Sequence, residues 1–426
     1  MRNEEIAEKM QNLYDSDLMQ KAFNFIKSDE EHTLEQHLEI VQIPAFSNYE
    51  KERALHFKEM MEAEGYEVHM DKVWNVYTTI PGTGGGPTIY VSAHMDTVFP
   101  PETPLEIRRD GNRICVPGIG DDTRGCAEIL GLLRAIRQMN LKPVGDIIIG
   151  GNVGEEGAGN LRGMRHFFSE NADRIDAFVS IDGAMPVLCY GGTGSYRYKV
   201  TFRGPGGHSN GAFGLVNPIH AMGRAITYIS ELRTPHTPKT TFCVGVVEGG
   251  TSVNSIASEC SMLVDMRSVD QGELDRLDAK FKTCIQKAVE DENDRWSEER
   301  DWEQRDISAF DVNARITAEL DKFGDRPVGH QPEYFDIVPV VSSAFRISGI
   351  EPVFMDFGST DSNIPLSLGI PSVTIAGGGD SGNGHSVDEW FDPTDAYRGV
   401  QKNLMVVFAL AGLDGVSEPM VPVRKR

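Results

Sequence analysis

A chain of 426 residues has room for two or three domains at about 150 residues each. With 40% hydrophobic and 25% charged residues it has ordinary globular composition and enough apolar material for a large core. A formal net charge of −23 argues against nucleic acid or an anionic membrane as partner, because both are bound through basic patches.

The start, Met1 to Lys27, is polar, with Leu13, Leu18, Phe23 and Phe25 at helical spacing, and lacks the apolar core of a signal peptide. No stretch approaches the roughly 18 consecutive apolar residues of a membrane span. Residues 33–43 read as a short helix stopped near Pro44. Ser47-Asn48-Tyr49-Glu50 has the form of a capping box, predicting a second helix that runs to Gly65. Tyr66 to Ile80 reads as strand, Pro81 to Pro87 as a turn, and Ile89-Tyr90-Val91 as the start of a buried strand. Gly125 to Met139 has helical periodicity, Ile147-Ile148-Ile149 is strand, a helix follows near 160–169, and Ala177 to Ile181 is strand. This alternation predicts an α/β fold with a mixed, mostly parallel sheet flanked by helices.

Near Gly191 the pattern changes to neighbouring strands, Tyr196 to Phe202, Thr241 to Glu248 and Ser261 to Arg267, with helices over 217–232 and 271–292. Asp291 to Asp306 reads as an acidic connection, and helix–strand alternation resumes over 337–376. The simplest division is residues 1–190 and 331–426 as one α/β domain, interrupted by a smaller α+β domain at 191–330. Six cysteines, Cys115, Cys126, Cys189, Cys243, Cys260 and Cys284, show no CxxC spacing, which predicts free thiols in a reducing, cytoplasmic setting.

Several motifs carry polar chemistry. His94 and Asp96, in Ser92-Ala93-His94-Met95-Asp96-Thr97-Val98, share a face at the end of an apolar strand. A metal-bound histidine needs its second ring nitrogen fixed, and Asp96 can do that. Taken alone, the pair is equally a polar strand end. Asp121 and Asp122 sit among glycines before a helix, where one of them is equally an N-cap. Gly154-Glu155-Glu156-Gly157 and Ser180-Ile181-Asp182-Gly183 follow apolar strands, where α/β proteins place their sites. Gly384-His385-Ser386-Val387-Asp388-Glu389-Trp390 follows a glycine run and reads as a fifth strand-end site. Each is weak alone. Together, two imidazoles and three carboxylates suit zinc or a similar divalent ion, and a shared carboxylate can bridge two ions about 3.5–4 Å apart. No GxGxxG fingerprint follows the first strand, so a dinucleotide site is not expected.

In this order, HMDTV, GDDTRGCAEIL, GEEG, IDG, GHS and GHSVDEW resemble the co-catalytic zinc family that includes peptidase T, carboxypeptidase G, aminoacylase and carnosinase, over nearly all of residues 30–415. The peptidase T-like branch is the nearest match. The resemblance implies that His94 and Asp182 hold one zinc and Glu156 and His385 the other. It further implies that Asp121 bridges them with a cis peptide after it, that Asp96 orients His94, and that Glu155 is the general base and acid. Cobalt or manganese would be substitutes. Where the family commonly has lysine two residues after the bridging aspartate, this chain has Thr123.

In the insert, Gly204-Pro205-Gly206-Gly207-His208-Ser209 resembles the lid motif whose histidine stabilises the oxyanion, commonly in a partner subunit. Asn254 and Arg267 resemble lid residues that contact substrate, and Gly358-Ser359-Thr360-Asp361 a substrate-side loop. Read without the family, His208 is a turn residue, and Arg267 is equally a bidentate grip on a carboxylate or a strand-edge ion pair. The implied protein is a homodimer joined through the insert, acting as an aminopeptidase on di- or tripeptides. The alternatives are an N-acyl amino acid deacylase or a carboxypeptidase of the same family, and, from another class, a non-catalytic peptide-binding protein.

Overall fold

Residues 3–295, 313–333 and 335–425 are described by a computed structural model of the chain. The chain divides into two compact units, Met1–Gly192 with Gly329–Arg426, and Thr193–Val328.

The first unit is built on an eight-stranded sheet. Across it lie His69–Met70, Val76–Ile80, Ile147–Asn152, Ile89–His94, Ala177–Ile181, Ser372–Ile375, Val187–Cys189 and Val353–Met355. The strands Ile147–Asn152, Ile89–His94, Ala177–Ile181 and Ser372–Ile375 run parallel to one another, so their carboxyl ends open on one side. They are buried along their whole length, as strands covered by helices on both faces must be, which is why their sequences are continuous apolar runs. The fold is α/β, a mixed and mostly parallel sheet with flanking helices. Helices Thr123–Gln138 and Tyr397–Ala411 are buried for most of their length. Helices Asn3–Asp15 and Asp17–Ser28 add Ile6, Met10, Leu13, Met19, Phe23 and Ile26 to the same core.

Three expectations need correction. Helix Lys51–Ala63 starts after Glu50 without a side-chain cap, because Ser47 Oγ donates instead to Asp96 Oδ2 at 2.6 Å. The stretch from Tyr66 to Ile80 is two strands, His69–Met70 and Val76–Ile80, broken where Asp71 Oδ1 accepts the amides of Val73 and Asn75. His385 does not end a strand of the main sheet. It sits in a turn at φ 63°, between Asp380–Gly382 and Trp390–Asp392 of a separate four-stranded antiparallel sheet. That small sheet also contains Arg113–Cys115 and Arg108–Asp110, with Trp390 opposite Cys115.

The second unit is a four-stranded antiparallel sheet in the order Thr240–Gly249, Glu259–Ser268, Gly194–Arg203, Thr317–Arg326. Strand Glu259–Ser268 alternates strictly, turning Cys260, Met262, Val264 and Met266 into a core shared with helices Pro218–Ser230 and Gln271–Asn293. Strand Thr317–Arg326 has no counterpart among the expected elements: Lys322 and Arg326 take positions on its covered side while Phe323 is exposed, which breaks the apolar alternation. Of the acidic stretch Asp291 to Asp306, the part from 296 onward lies outside the described residues.

Among the described residues no helix is long and apolar enough to cross a membrane.

Candidate metal centre

The carboxyl ends of the parallel strands gather the polar residues. His94 ends the strand Ile89–His94 and lies opposite Asn152, which precedes Glu155 by three residues. Asp182 follows Ala177–Ile181, its amide bonded to the Ile375 carbonyl at 2.9 Å. Asp121 lies just before helix Thr123–Gln138, and the Asp121–Asp122 peptide is cis.

The adjacent aspartates have separate roles. Asp122 caps the helix, its Oδ1 accepting the Gly125 amide at 3.1 Å, and its Oδ2 accepts the His94 amide at 3.1 Å. Asp121 faces into the cluster. Its Oδ1 is 3.0 Å from His94 Nε2 and its Oδ2 is 3.0 Å from His385 Nε2, and His385 Nε2 is also 3.0 Å from Glu156 Oε1. Ligand atoms of His94, Asp121 and Asp182 lie within 4.8 Å of one another, as do those of Asp121, Glu156 and His385, and those of His94, Glu155 and Glu156.

Asp96 ties these parts together. Its Oδ1 accepts the Glu155 amide at 2.9 Å and its Oδ2 the Glu156 amide at 3.0 Å, besides the Ser47 hydroxyl. His94 Nδ1 is nearer the Asp96 main-chain oxygen, at 3.0 Å, than its Oδ1, at 3.5 Å. The backbone carbonyl is therefore the better acceptor for the ring, and the carboxylate mainly fixes the Glu155–Glu156 backbone.

Electrostatics show how unfavourable the cluster is without a cation. Burial, with Asp121 and Glu155 nearby, pushes the Glu156 carboxyl up to about 8. Burial pushes Asp182 up to about 7, His94 opposing and Asp121 and Glu155 adding to the rise. Burial also acts on Asp121, but hydrogen bonds from His385 and His94 hold it well below the usual range. His385 rises to about 9, chiefly through its hydrogen bond to Asp121. Divalent cations would relieve this crowding, and imidazole nitrogens with carboxylate oxygens are the donors that borderline divalent ions prefer. The residues present fit such a centre.

Several residues support the site, of which His37, Lys402 and Asn403 gave no functional signal in the sequence. His37 is fully buried and sits 2.7 Å from the Ile119 carbonyl through Nε2, and burial lowers its pKa to about 3, so the ring is neutral. Thr123 Oγ1 donates to the Gly118 carbonyl at 2.7 Å. Lys402 and Asn403 donate to the Ala376 carbonyl, and Arg124 to Gly377, where the chain leaves strand Ser372–Ile375 towards His385. Asp361 Oδ2 accepts the Asn152 side-chain amide at 2.6 Å, so it supports the 152–156 turn from within the protein.

The insert residues lie in the second unit. Gly207–His208 pairs with Ser255–Ile256, and the Ser209 amide donates to the Asn254 carbonyl at 2.9 Å, which brings His208 and Asn254 together. His208 is exposed, and its Nδ1 accepts the amides of Asn210 and Gly211, each at 3.2 Å. With Nδ1 accepting, Nε2 is the ring nitrogen left to donate. Arg267 Nε donates to Asp265 Oδ2 at 2.8 Å within its own strand.

Residues 90–406 match the model of peptidase family M20/M25/M40. The chain belongs to this family and is a metallopeptidase. The uncharacterised protein YqjE of Bacillus subtilis (strain 168) is 24% identical over 369 residues, covering 82% of this chain and 91% of that one. Two solved structures share the fold. The aminopeptidase PepT of Bacillus cereus ATCC 10987 superposes with a TM-score of 0.69 at 21% identity, over 89% of this chain and 98% of that one. The metallo-carboxypeptidase Sso-CP2 of Sulfolobus solfataricus also gives 0.69, at 15% identity, over 88% and 98%. Equal likeness to an aminopeptidase and a carboxypeptidase leaves the specificity to be argued from the site.

Proposed function

We propose that the protein hydrolyses the amino-terminal peptide bond of di- or tripeptides with two zinc ions per chain. His94 and Asp182 hold one ion, Glu156 and His385 the other, and Asp121 is shared. The observation that carries this is Asp121, whose two carboxylate oxygens each lie 3.0 Å from a different imidazole. When bound, the ions polarise the scissile carbonyl and make water acidic enough to ionise near neutral pH. Glu155 takes the proton from the attacking water and delivers it to the leaving amine. Asp96 keeps His94 and the Glu155–Glu156 backbone in register. A general base beside a full donor set is more than a peptide-binding protein needs.

His208, with Nε2 as donor, suits stabilisation of the oxyanion at a partner's active site, with Asn254 beside it. Arg267 would grip the far carboxylate of a short peptide, in exchange for its present Asp265 contact. A homodimer through the second unit is supported by strand Thr240–Gly249. This sheet-edge strand exposes Val246 and Val247, a surface that a two-fold axis can pair with itself. All six cysteines are free, in keeping with a cytoplasmic protein.

The preference for a free amino terminus rests on Asp182. Its short side chain would leave room for a substrate amine beside the metals, and the carboxylates gathered there would favour an ammonium group. The test compares a tripeptide bearing a free amino terminus with its N-acetylated form. The free peptide should be cleaved faster, releasing its first residue. Faster cleavage of the acetylated peptide would replace this reading with a deacylase or carboxypeptidase.

A further inference from the structure

Glu389 shares a hairpin loop with His385, between strands Asp380–Gly382 and Trp390–Asp392. It is almost fully buried, at 1% exposure. Its Oε1 accepts the amides of Gly120 at 2.7 Å and Asp121 at 2.9 Å, and its Oε2 accepts that of Gly118 at 2.8 Å. Its main-chain oxygen accepts the Val116 amide at 3.2 Å. One side chain thus gathers three amides of the loop that presents Asp121.

The loop is shaped for this contact. A Cβ on Gly120 would come 2.9 Å from Ser381 Cβ and 3.1 Å from Glu389 Oε1, so a side chain there would crowd the carboxylate. Gly118 has φ +80°, a conformation that favours glycine. Successive amides turned towards one point form an anion-binding concavity, and here the protein supplies the anion itself. Mere filling of space would not call for a carboxylate, since burying one is unfavourable unless its oxygens are bonded.

We propose that Glu389 is a positioning residue for the metal centre. It holds Asp121 between His94 and His385 and joins the Asp121 loop to the His385 hairpin, so that ligands from two distant stretches of chain keep one spacing. This rests on the reading of Asp121 as the shared ligand. Glutamine is nearly the same size, but its amide group would set a donor against one of the three backbone donors. Aspartate keeps the charge but is one methylene shorter.

The test uses the full-length protein and measures zinc affinity by competition with a chromogenic chelator, alongside thermal unfolding of the metal-free form. Groups that orient metal ligands typically contribute about 10–100-fold in metal affinity, and Glu389→Gln should weaken zinc by that factor. At saturating zinc its KM for a tripeptide should stay near the wild-type value while kcat falls. Glu389→Asp should lie between Gln and wild type. Asp388→Asn, an exposed neighbour paired with Arg108 at 3.2 Å, should bind zinc as wild type does. Asp121→Asn separates the two ideas. If it loses zinc while Glu389→Gln binds normally, even with a lowered melting temperature, Glu389 is only structural and the positioning role is overturned. If Asp121→Asn itself binds zinc normally, the shared-ligand reading falls and takes this proposal with it. Should Glu389→Gln not fold, wild-type zinc affinity in Glu389→Asp overturns the role just as well.

Discussion

Asp96 receives the main-chain amides of both Glu155 and Glu156, so each is anchored independently of its side-chain chemistry. Glu155→Gln should therefore keep its metal while losing about 10²–10⁴-fold in kcat, the usual contribution of a general acid–base group. Metal analysis and steady-state rates on one preparation check this, and an unchanged rate would point to a different base. The raised carboxyl pKa values predict a direction for metal binding. Without metal, Glu156 holds its proton up to about pH 8 and Asp182 up to about pH 7. Each proton must leave before its ligand atom binds a cation, so affinity should rise with pH up to about 9 with release of protons. His385, raised to about 9, acts in the same direction. Calorimetry of chelator-treated protein in buffers of different ionisation enthalpy measures the release, and zinc, or cobalt or manganese, should restore activity. Binding without proton release would contradict the site.

Strand Ile147–Asn152 carries the turn that bears Glu155 and Glu156, and its fit is tightest at Gly150. A methyl added there would meet the Val76 carbonyl oxygen at 2.0 Å and Tyr77 Cα at 2.6 Å, both backbone atoms of the paired strand. Neither can rotate away. Gly150→Ala should cost at least about 1–3 kcal/mol, the range for overpacking, as measured by urea unfolding of the metal-free protein. Wild-type stability would mean that the two strands can separate more easily than their packing implies. The small antiparallel sheet contributes differently, through register: pairing Trp390 with Cys115 brings the His385 hairpin beside the segment leading to Asp121.

The whole molecule is assembled from a unit holding the candidate metal ligands and a unit holding His208, Asn254 and Arg267. If the second unit pairs through strand Thr240–Gly249, Val246 and Val247 become buried between copies. The double variant Val246→Glu/Val247→Glu should then sediment as a monomer with most activity lost, whereas wild type sediments as a dimer. A fully active wild-type monomer would remove any need for a partner's histidine.

The clustered His, Asp and Glu residues were visible in the sequence where a chemically unusual pair, such as His with Asp or two acids between glycines, follows a buried apolar strand, as at His94 and Glu155–Glu156. The α/β class was legible for the same reason, since long apolar runs alternating with helical periodicity have few other uses. Other features depend on neighbours distant in the chain. Nothing local tells that Ser47 bonds Asp96 instead of capping its helix, or that Asp122 caps while Asp121 faces two histidines. Glu389 belongs to the GHSVDEW motif, but its role needs the amides of Gly118, Gly120 and Asp121, some 270 residues earlier. Strand Thr317–Arg326 was hidden because Lys322 and Arg326 lie on its covered side while Phe323 is exposed, so no apolar alternation can be read locally. Local patterns record which side chains a segment must bury or cap, whereas partners supplied by another segment are decided only when the tertiary structure brings the two together.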